Sequence, residues 1–170
     1  MKSLIKNSSL TLLMAVTLTL VGCSSGAKKD SGSSSDSMVD DAADAVSFEA
    51  NGSSDDATAG PLRTVYFPFN SSELSDIAKS TLEQNAMWLK STAGVDIQVE
   101  GHCDERGGVQ FNLALGERRA NAVKGYLESF GVESSRIDVV SLGKESPVSY
   151  GHDEESWSKN RRANFKITAK

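Results

Sequence analysis

Four stretches after residue 60 have the residue pattern of β-strands. Residues 63–67 form the first, and the following Pro68 ends that strand or places it at a sheet edge. Apolar and polar positions alternate over residues 95–99, which predicts a strand with one buried side. Residues 136–143 are apolar on both faces, so we predict a central strand there. Alternation over residues 163–169 predicts a last strand with one solvent-facing side.

Apolar residues spaced three or four positions apart predict two helices between these strands. The first helix has candidate N-cap side chains at residues 70–73 and ends near Gly94. The second helix begins after Gly107 and Gly108 and ends at residues 130–132, in a pattern typical of a Schellman motif. The order strand, helix, strand, helix, strand, long loop, strand predicts an α+β fold with the helices packed on one mixed sheet. The apolar face of the first helix consists of Ala78, Leu82, Ala86 and Leu89.

The beginning of the chain has the pattern of a secretory signal. Lys2 and Lys6 precede an apolar run over residues 10–21, which is too short to span a bilayer comfortably. We therefore predict a signal peptide over residues 1–22. The run ends in the sequence Leu-Val-Gly-Cys, which resembles a bacterial lipobox, so Cys23 is the predicted site of lipidation. The alternative is a plain signal peptide followed by an incidental cysteine.

The stretch after Cys23 predicts a disordered tether. Residues 24–60 carry eight acidic residues and two lysines and are rich in Ser, Gly, Ala and Asp, a composition that cannot bury enough apolar surface to fold. Ser24 stands where lipoproteins of the inner membrane commonly have aspartate, which favours delivery to the outer membrane. After the signal peptide we therefore predict a lipidated N-terminus with an acidic Ser/Gly/Asp tether over residues 23–60, and one folded domain over residues 61–170.

Composition and motifs argue against several classes of function. In residues 61–170, fifteen acidic and fourteen basic residues nearly balance, so we expect no basic stripe for nucleic acid. His102 and His152 lie far apart in the sequence, and no spacing indicates the three protein ligands of a catalytic zinc. Cys103 follows His102 on a strand, where neighbours point to opposite faces; we expect a buried free thiol and a histidine on the polar side. We predict no catalytic residues, no metal and no cofactor.

The candidate binding residues lie around the turn from the second strand to the second helix. Asp104 follows the strand, whereas Asn112 and Arg119 project within roughly 20° of each other on the helix, at about 100° per residue. Asp104 can accept an ammonium group and Arg119 can bind a carboxylate with two parallel hydrogen bonds, so together they can hold a small zwitterion. The alternative is a structural staple in which Asp104 and Arg119 pair with each other.

Two motifs around this turn resemble a known signature. The resemblance is to the peptidoglycan-binding signature of the OmpA C-terminal domain family. It implies that Asp104 and Arg119 occupy the ligand-holding positions of that family. It also implies that Asn112 and Leu115 belong to the helix part of the signature. The two motifs are Gly101-His102-x-Asp104-x-x-Gly107 and Asn112-x-x-Leu115-x-x-x-Arg119-Ala120.

Three further residues enter the predicted site with this resemblance. Phe69 and Asn70 match a Phe-Asp pair that ends the first strand in close relatives, and Asn70 here stands in place of the aspartate. Arg106 lies in the loop that carries Asp104 and is the last of the ligand-binding candidates. The predicted site therefore has one acidic position fewer than the pattern of the family.

The same resemblance implies a non-catalytic function. It implies an outer-membrane lipoprotein, anchored by its N-terminal lipid, whose periplasmic domain binds peptidoglycan through the free amine and carboxylate of diaminopimelate in the peptide stem. It further implies the Tol system as partner, TolB in particular, and a role in envelope integrity and cell division. The alternative is a lipoprotein adaptor that acts mainly by docking periplasmic protein partners.

The loop over residues 143–160 is a candidate surface for such partners, because it is long for a compact domain. It carries Tyr150, Trp157 and an acidic run over residues 153–155, a combination of aromatic and charged side chains found at interfaces. The alternative is a solvated connection with Trp157 tucked beneath it.

Overall fold

A computed structural model describes residues 48–169 of the chain. The predicted signal peptide, the predicted lipidation site Cys23 and residues 24–47 of the predicted tether lie outside the described residues. None of the helices in the described range combines the length and the apolar character that a membrane crossing requires.

The described residues form a four-stranded sheet with helices packed on it. The strand order across the sheet is β1, β4, β2, β3; β2 and β3 pair in parallel, and the other neighbours pair antiparallel. The mixed sheet and its helices confirm the predicted α+β class. The elements are β1 (Val65–Tyr66), α1 (Asp76–Ser91), β2 (Asp96–His102), α2 (Val109–Ser129), a 3-10 turn (Ser134–Arg136), β3 (Ile137–Gly143), α3 (Glu154–Asn160) and β4 (Arg162–Ala169).

Strand β3 lies at an edge of the sheet, so the prediction of a central strand is wrong. It pairs with β2 alone in the described sheet, and β4 returns between β1 and β2. Val139 and Val140 are accordingly half-buried rather than fully enclosed. The unit β2–α2–β3 is a crossover that sets β3 parallel to β2. The prediction failed because the apolar content of a strand does not show how many strands pair with it.

Helix α1 buries the predicted face. Its N-cap is Ser75, whose hydroxyl oxygen accepts a hydrogen bond from the Ala78 amide at 3.2 Å, so the helix begins later than the cap predicted at residues 70–73. It ends at Ser91, and Gly94 adopts φ 79° in the turn beyond. The face that packs into the core is Ala78, Leu82, Ala86 and Leu89, against Val65, Ile97, Val99, Phe165 and Ile167 of the sheet.

Helix α2 ends as predicted and lies unusually close to β2. The Val132 amide donates to the Leu127 carbonyl at 3.1 Å, which is the defining bond of a Schellman motif. A Cβ atom added to Gly101 of β2 would lie 1.9 Å from the carbonyl oxygen of Gly116 in α2. Only a pair of glycines permits this approach. The contact brings the end of β2 and the loop after it beside the middle of α2.

Residues 48–60 are ordered, which corrects the prediction of a coil up to Gly60 for this part of the tether. The Ser54 amide donates to the Phe165 carbonyl at 2.9 Å, and the Asn164 side-chain oxygen accepts hydrogen bonds from both Ser53 and Ser54 hydroxyls. Ala59 is buried in the core. Composition did not predict this order because the segment is held largely by backbone pairing and by polar groups of β4, with only a small apolar contribution such as that of Ala59.

Candidate functional site

A pocket of about 150 Å³ lies where β2 ends, between the loop after it, the start of α2 and the segment after β1. All seven residues predicted to bind a ligand line it, so the structure brings the predicted set together. It also adds residues that the sequence did not indicate. The lining residues are Phe69, Asn70, Cys103, Asp104, Arg106, Gly107, Phe111, Asn112, Leu115, Arg119 and Arg161.

Arg119 is 0% exposed and has no carboxylate partner among the described residues. Its Nε donates to the Ser71 carbonyl at 2.9 Å, its Nη1 to the His102 carbonyl at 2.7 Å, and its Nη2 to the Pro68 carbonyl at 3.1 Å. Burial lowers the pKa of the guanidinium from its ordinary value. The predicted Asp104–Arg119 staple is therefore absent from the described structure, because Arg119 joins two loops through their backbone carbonyls instead.

Asp104 is buried and accepts four hydrogen bonds. Oδ1 accepts from the backbone amide of Arg106 at 3.1 Å and from its Nε at 3.2 Å, and Oδ2 accepts from its Nη2 at 2.6 Å. Arg161 donates from Nη1 to Oδ2 at 3.4 Å. Burial alone would raise the pKa of Asp104, but the hydrogen bonds from Arg106 and the two nearby guanidinium groups lower it below the ordinary value. The carboxylate is therefore ionised at neutral pH.

Arg106 stacks between two aromatic rings. Its guanidinium carbon lies 4.0 Å from the centroid of Phe69 and 4.0 Å from that of Trp157. The indole Nε1 of Trp157 donates to Glu105 at 2.9 Å, and Glu105 is hydrogen-bonded to His152. This bond lowers the pKa of Glu105 and raises the pKa of His152. Arg106 thus connects the pocket to a network beside it that consists of two aromatic rings and an exposed ion pair.

Arg161 is the main site residue that the sequence did not indicate. Its Nε donates to the Phe67 carbonyl at 3.1 Å, and its Nη2 pairs with Glu154. It immediately precedes β4, and β4 runs antiparallel to β2, so residues before β4 lie beside residues after β2. The antiparallel pairing of β2 with β4 is the information that would have indicated Arg161, and the sequence of neither strand alone shows it.

The two predicted motif residues of α2 have structural roles at the pocket. The Asn112 amide nitrogen donates to the Arg106 carbonyl at 2.9 Å and to the Gly108 carbonyl at 3.2 Å, which closes the loop after β2. Leu115 is buried against the pocket. Asn70 adopts φ 51°, a left-handed conformation that asparagine tolerates better than most residues.

His102 and Cys103 are both buried. Cys103 is a free thiol as predicted, and burial raises its pKa. His102 lies on the side of β2 that carries Glu100, as the alternation of side chains along the strand predicts, but it is buried there. Neither ring nitrogen has a hydrogen-bond partner. Within residues 48–169 no group of three His, Cys, Asp or Glu side chains is placed to hold a metal ion.

The predicted partner surface divides into two parts. The stretch from Gly143 to Asn160 contains α3, which the sequence pattern did not predict. Trp157 lies on that helix and packs on Arg106, which lines the pocket. Tyr150 is 81% exposed. A role in partner binding stays a prediction for both residues.

The sequence matches the OmpA family over residues 66–161, more than half of the chain. A peptidoglycan-associated lipoprotein of Pseudomonas aeruginosa is 44% identical over 164 residues, which covers 95% of each chain. The chain belongs to the OmpA family, among its peptidoglycan-associated lipoproteins. The peptidoglycan-associated lipoprotein of Pseudomonas putida is 39% identical over 162 residues, again 95% of both chains.

A solved structure supports the same membership in this OmpA-family branch. The crystal structure of the peptidoglycan-associated lipoprotein from Burkholderia pseudomallei superposes with a TM-score of 0.61 and is 46% identical. The match covers 64% of this chain and 93% of that chain. The family resemblance predicted from the motifs around Asp104 and Arg119 is therefore confirmed, and with it the fold.

Proposed function

We propose that this protein is an outer-membrane lipoprotein that binds peptidoglycan non-covalently, holding the diaminopimelate of the peptide stem in the pocket between Asp104 and Arg119. The observation that carries the proposal is the buried guanidinium of Arg119. A cation taken out of water is costly unless it is neutralised, and this one has no carboxylate partner in the described structure. A carboxylate supplied by a ligand would neutralise it.

One spare donor on Arg119 and the buried charge of Asp104 support a zwitterionic ligand. Nη2 of Arg119 makes one protein hydrogen bond and carries two N–H groups, so one donor remains for a ligand oxygen. Asp104 supplies the negative charge that an ammonium group needs. The free end of diaminopimelate carries an ammonium and a carboxylate on one carbon, which matches these two charges.

The chemistry of the pocket supports binding rather than catalysis. The nucleophile that lines it is the thiol of Cys103, whose pKa burial raises, so the reactive thiolate is disfavoured. No histidine lines this pocket to act as its base. The relatives named above are called peptidoglycan-associated lipoproteins, a name that states an association and not a reaction.

The N-terminal sequence and the relatives support a cellular setting at the outer membrane. Acylation of Cys23 would anchor the chain, and residues 24–47 would connect the anchor to the ordered segment that begins by residue 48. As a flexible coil, such a connection spans roughly 27 Å on average. We include the Tol proteins, TolB in particular, as partners, with a function in envelope integrity and cell division.

The direct experiment is sedimentation with peptidoglycan sacculi stripped of protein. A Cys23→Ala variant, which cannot be acylated, is purified and mixed with the sacculi. The proposal expects the protein to sediment with the sacculi and to be released by free diaminopimelate. A protein that stays in the supernatant would contradict it.

A second candidate function is an adaptor that docks protein partners. The observation in its favour is the exposed apolar surface of Tyr150 and Val148, which lies outside the pocket. Sacculus binding separates the two functions, because an adaptor needs no contact with the wall. A Tyr150→Ala variant that keeps wall binding and loses binding to purified TolB would show that both surfaces operate.

A further inference from the structure

The carboxylate that should receive a ligand ammonium is already saturated by the protein. A carboxylate has about four acceptor positions. In Asp104 all four are used, three by Arg106 and one by Arg161. An ammonium group therefore cannot bind Asp104 as an additional partner. It must replace one of the guanidinium contacts.

The side chain of Arg106 is the one that can leave. It is 31% exposed, whereas that of Arg161 is 8% exposed. Arg161 is also held by the Phe67 carbonyl and by Glu154, so its removal would break contacts beyond the pocket. Arg106 is held, apart from Asp104, by the two ring faces of Phe69 and Trp157 and by a 3.8 Å contact to Glu154.

We propose that Arg106 is a specificity-determining residue: it occupies the ammonium position on Asp104, and a ligand binds fully only when its own ammonium displaces that guanidinium. This inference rests on the function proposed above and deepens it. The backbone amide of Arg106 and the guanidinium of Arg161 stay on Asp104 during the exchange. The carboxylate therefore never loses all of its partners.

The exchange explains why the pocket would reject ligands that carry only a carboxylate. Such a ligand can reach Arg119 but cannot compete for Asp104, so Arg106 remains between Phe69 and Trp157. A primary ammonium carries three donors and can replace the Nε and Nη2 contacts of Arg106. The displaced guanidinium is close to Glu154 and to solvent, where its charge stays hydrated or paired.

The alternative is that Arg106 stays in place and binds a ligand carboxylate itself. The two mechanisms predict opposite effects of removing the guanidinium. Displacement predicts tighter binding, because the ligand no longer competes with an internal cation. Direct contact predicts weaker binding, because a ligand charge loses its partner.

The test uses the Cys23→Ala protein and two soluble probes. The first is a stem tripeptide that ends in diaminopimelate and has an acetylated N-terminus, so that its one free ammonium is that of diaminopimelate; the second is the same tripeptide with this ammonium acetylated as well. Isothermal titration calorimetry is carried out on this parent protein and on its Arg106→Gln and Arg106→Met variants. Arg118→Gln is the control, because it removes an exposed guanidinium of α2 outside the pocket. Thermal unfolding checks that each variant is folded.

Displacement predicts that both Arg106 variants bind the free-ammonium tripeptide about threefold to tenfold more tightly than the parent, since the partial exposure of Arg106 screens its ion pair with Asp104 and the cation–π contacts contribute only modestly. The acetylated tripeptide should bind all proteins equally weakly, and Arg118→Gln should match the parent. Unchanged or weaker binding of the free-ammonium tripeptide by the Arg106 variants overturns the inference. Tripeptide binding by the parent still supports the proposed function in that case, whereas no binding by any protein overturns both.

Fluorescence gives a second readout. In a Trp88→Phe background, Trp157 is the sole remaining tryptophan of the chain. Displacement predicts that saturating tripeptide shifts the emission of Trp157 towards that of the Arg106→Gln variant, because the guanidinium leaves the indole face. Emission that the tripeptide leaves unchanged overturns the displacement.

Discussion

Replacing Asp104 with asparagine should weaken both the fold and ligand binding. The carboxylate is buried and accepts hydrogen bonds from the two guanidinium groups of Arg106 and Arg161. Removing one partner of a buried ion pair costs about 3 to 5 kcal/mol. The partial exposure of Arg106 screens the pair, and asparagine keeps one acceptor oxygen. We therefore expect a loss of about 2 kcal/mol in the free energy of unfolding.

The substitution has two measurable consequences. For a domain of this size, 2 kcal/mol corresponds to a decrease in Tm of about 5 to 10 °C. Loss of the partner of the ligand ammonium should weaken binding of the stem tripeptide about 30-fold, also equivalent to about 2 kcal/mol. Thermal unfolding and isothermal titration, corrected for the folded fraction, measure the two effects. Glu117→Gln, an exposed acid on α2, is the matched control.

Two results would refute the reasoning. An Asp104→Asn variant with the parental Tm would show that the four hydrogen bonds do not stabilise the fold. A variant with a lowered Tm that binds the tripeptide with parental affinity would show that Asp104 is a structural residue without contact to the ligand. The second result would remove one half of the proposed clamp and leave Arg119 as the remaining charged contact.

Three further predictions concern stability. The stability advantage of the parent over Asp104→Asn should be complete above pH 3.8, the ordinary pKa of the carboxyl group, and should shrink as the pH falls through the lowered pKa of the folded state. Urea denaturation over a pH series measures this difference, and a constant difference down to about pH 2 would contradict the prediction. Gly101→Ala should lower the free energy of unfolding by about 3 kcal/mol, because the added Cβ would lie 1.9 Å from a backbone oxygen of α2. Gly125→Ala adds a Cβ with nothing within 4 Å and should stabilise the helix by about 0.5 to 1 kcal/mol. Equal Tm values for the two variants would be inconsistent with the close packing at Gly101. Asn164→Ala should increase hydrogen exchange at the Ser54 amide, since its side chain holds that segment; unchanged protection would show that backbone pairing suffices.

Local features of the fold were predictable from the sequence, because they depend on neighbours along one element. The buried face of α1 follows from residues three and four apart, and the end of α2 follows from Gly131 and the apolar Val132 after it. Arg119 was placed near Asn112 on α2 by helical geometry alone, and both line the pocket.

Features that depend on pairing between distant segments were not predictable in the same way. The edge position of β3 and the docking of residues 48–60 on β4 are set by partners far apart in the chain. The partner of Asp104 was expected to be Arg119 or a ligand, but Arg106 is two residues away and can fold back on it. The sequence showed which charged residues lie near this turn. The backbone path of the loop determines which of them form ion pairs.

The most direct test of the central claim is a crystal structure of the protein with the stem tripeptide bound. The carboxylate of the free diaminopimelate end should lie within hydrogen-bond distance of the Arg119 guanidinium. Its ammonium should lie on Asp104, with the side chain of Arg106 moved off that carboxylate. A tripeptide bound outside this pocket, or bound in it with neither charge on Asp104 or Arg119, would contradict the account.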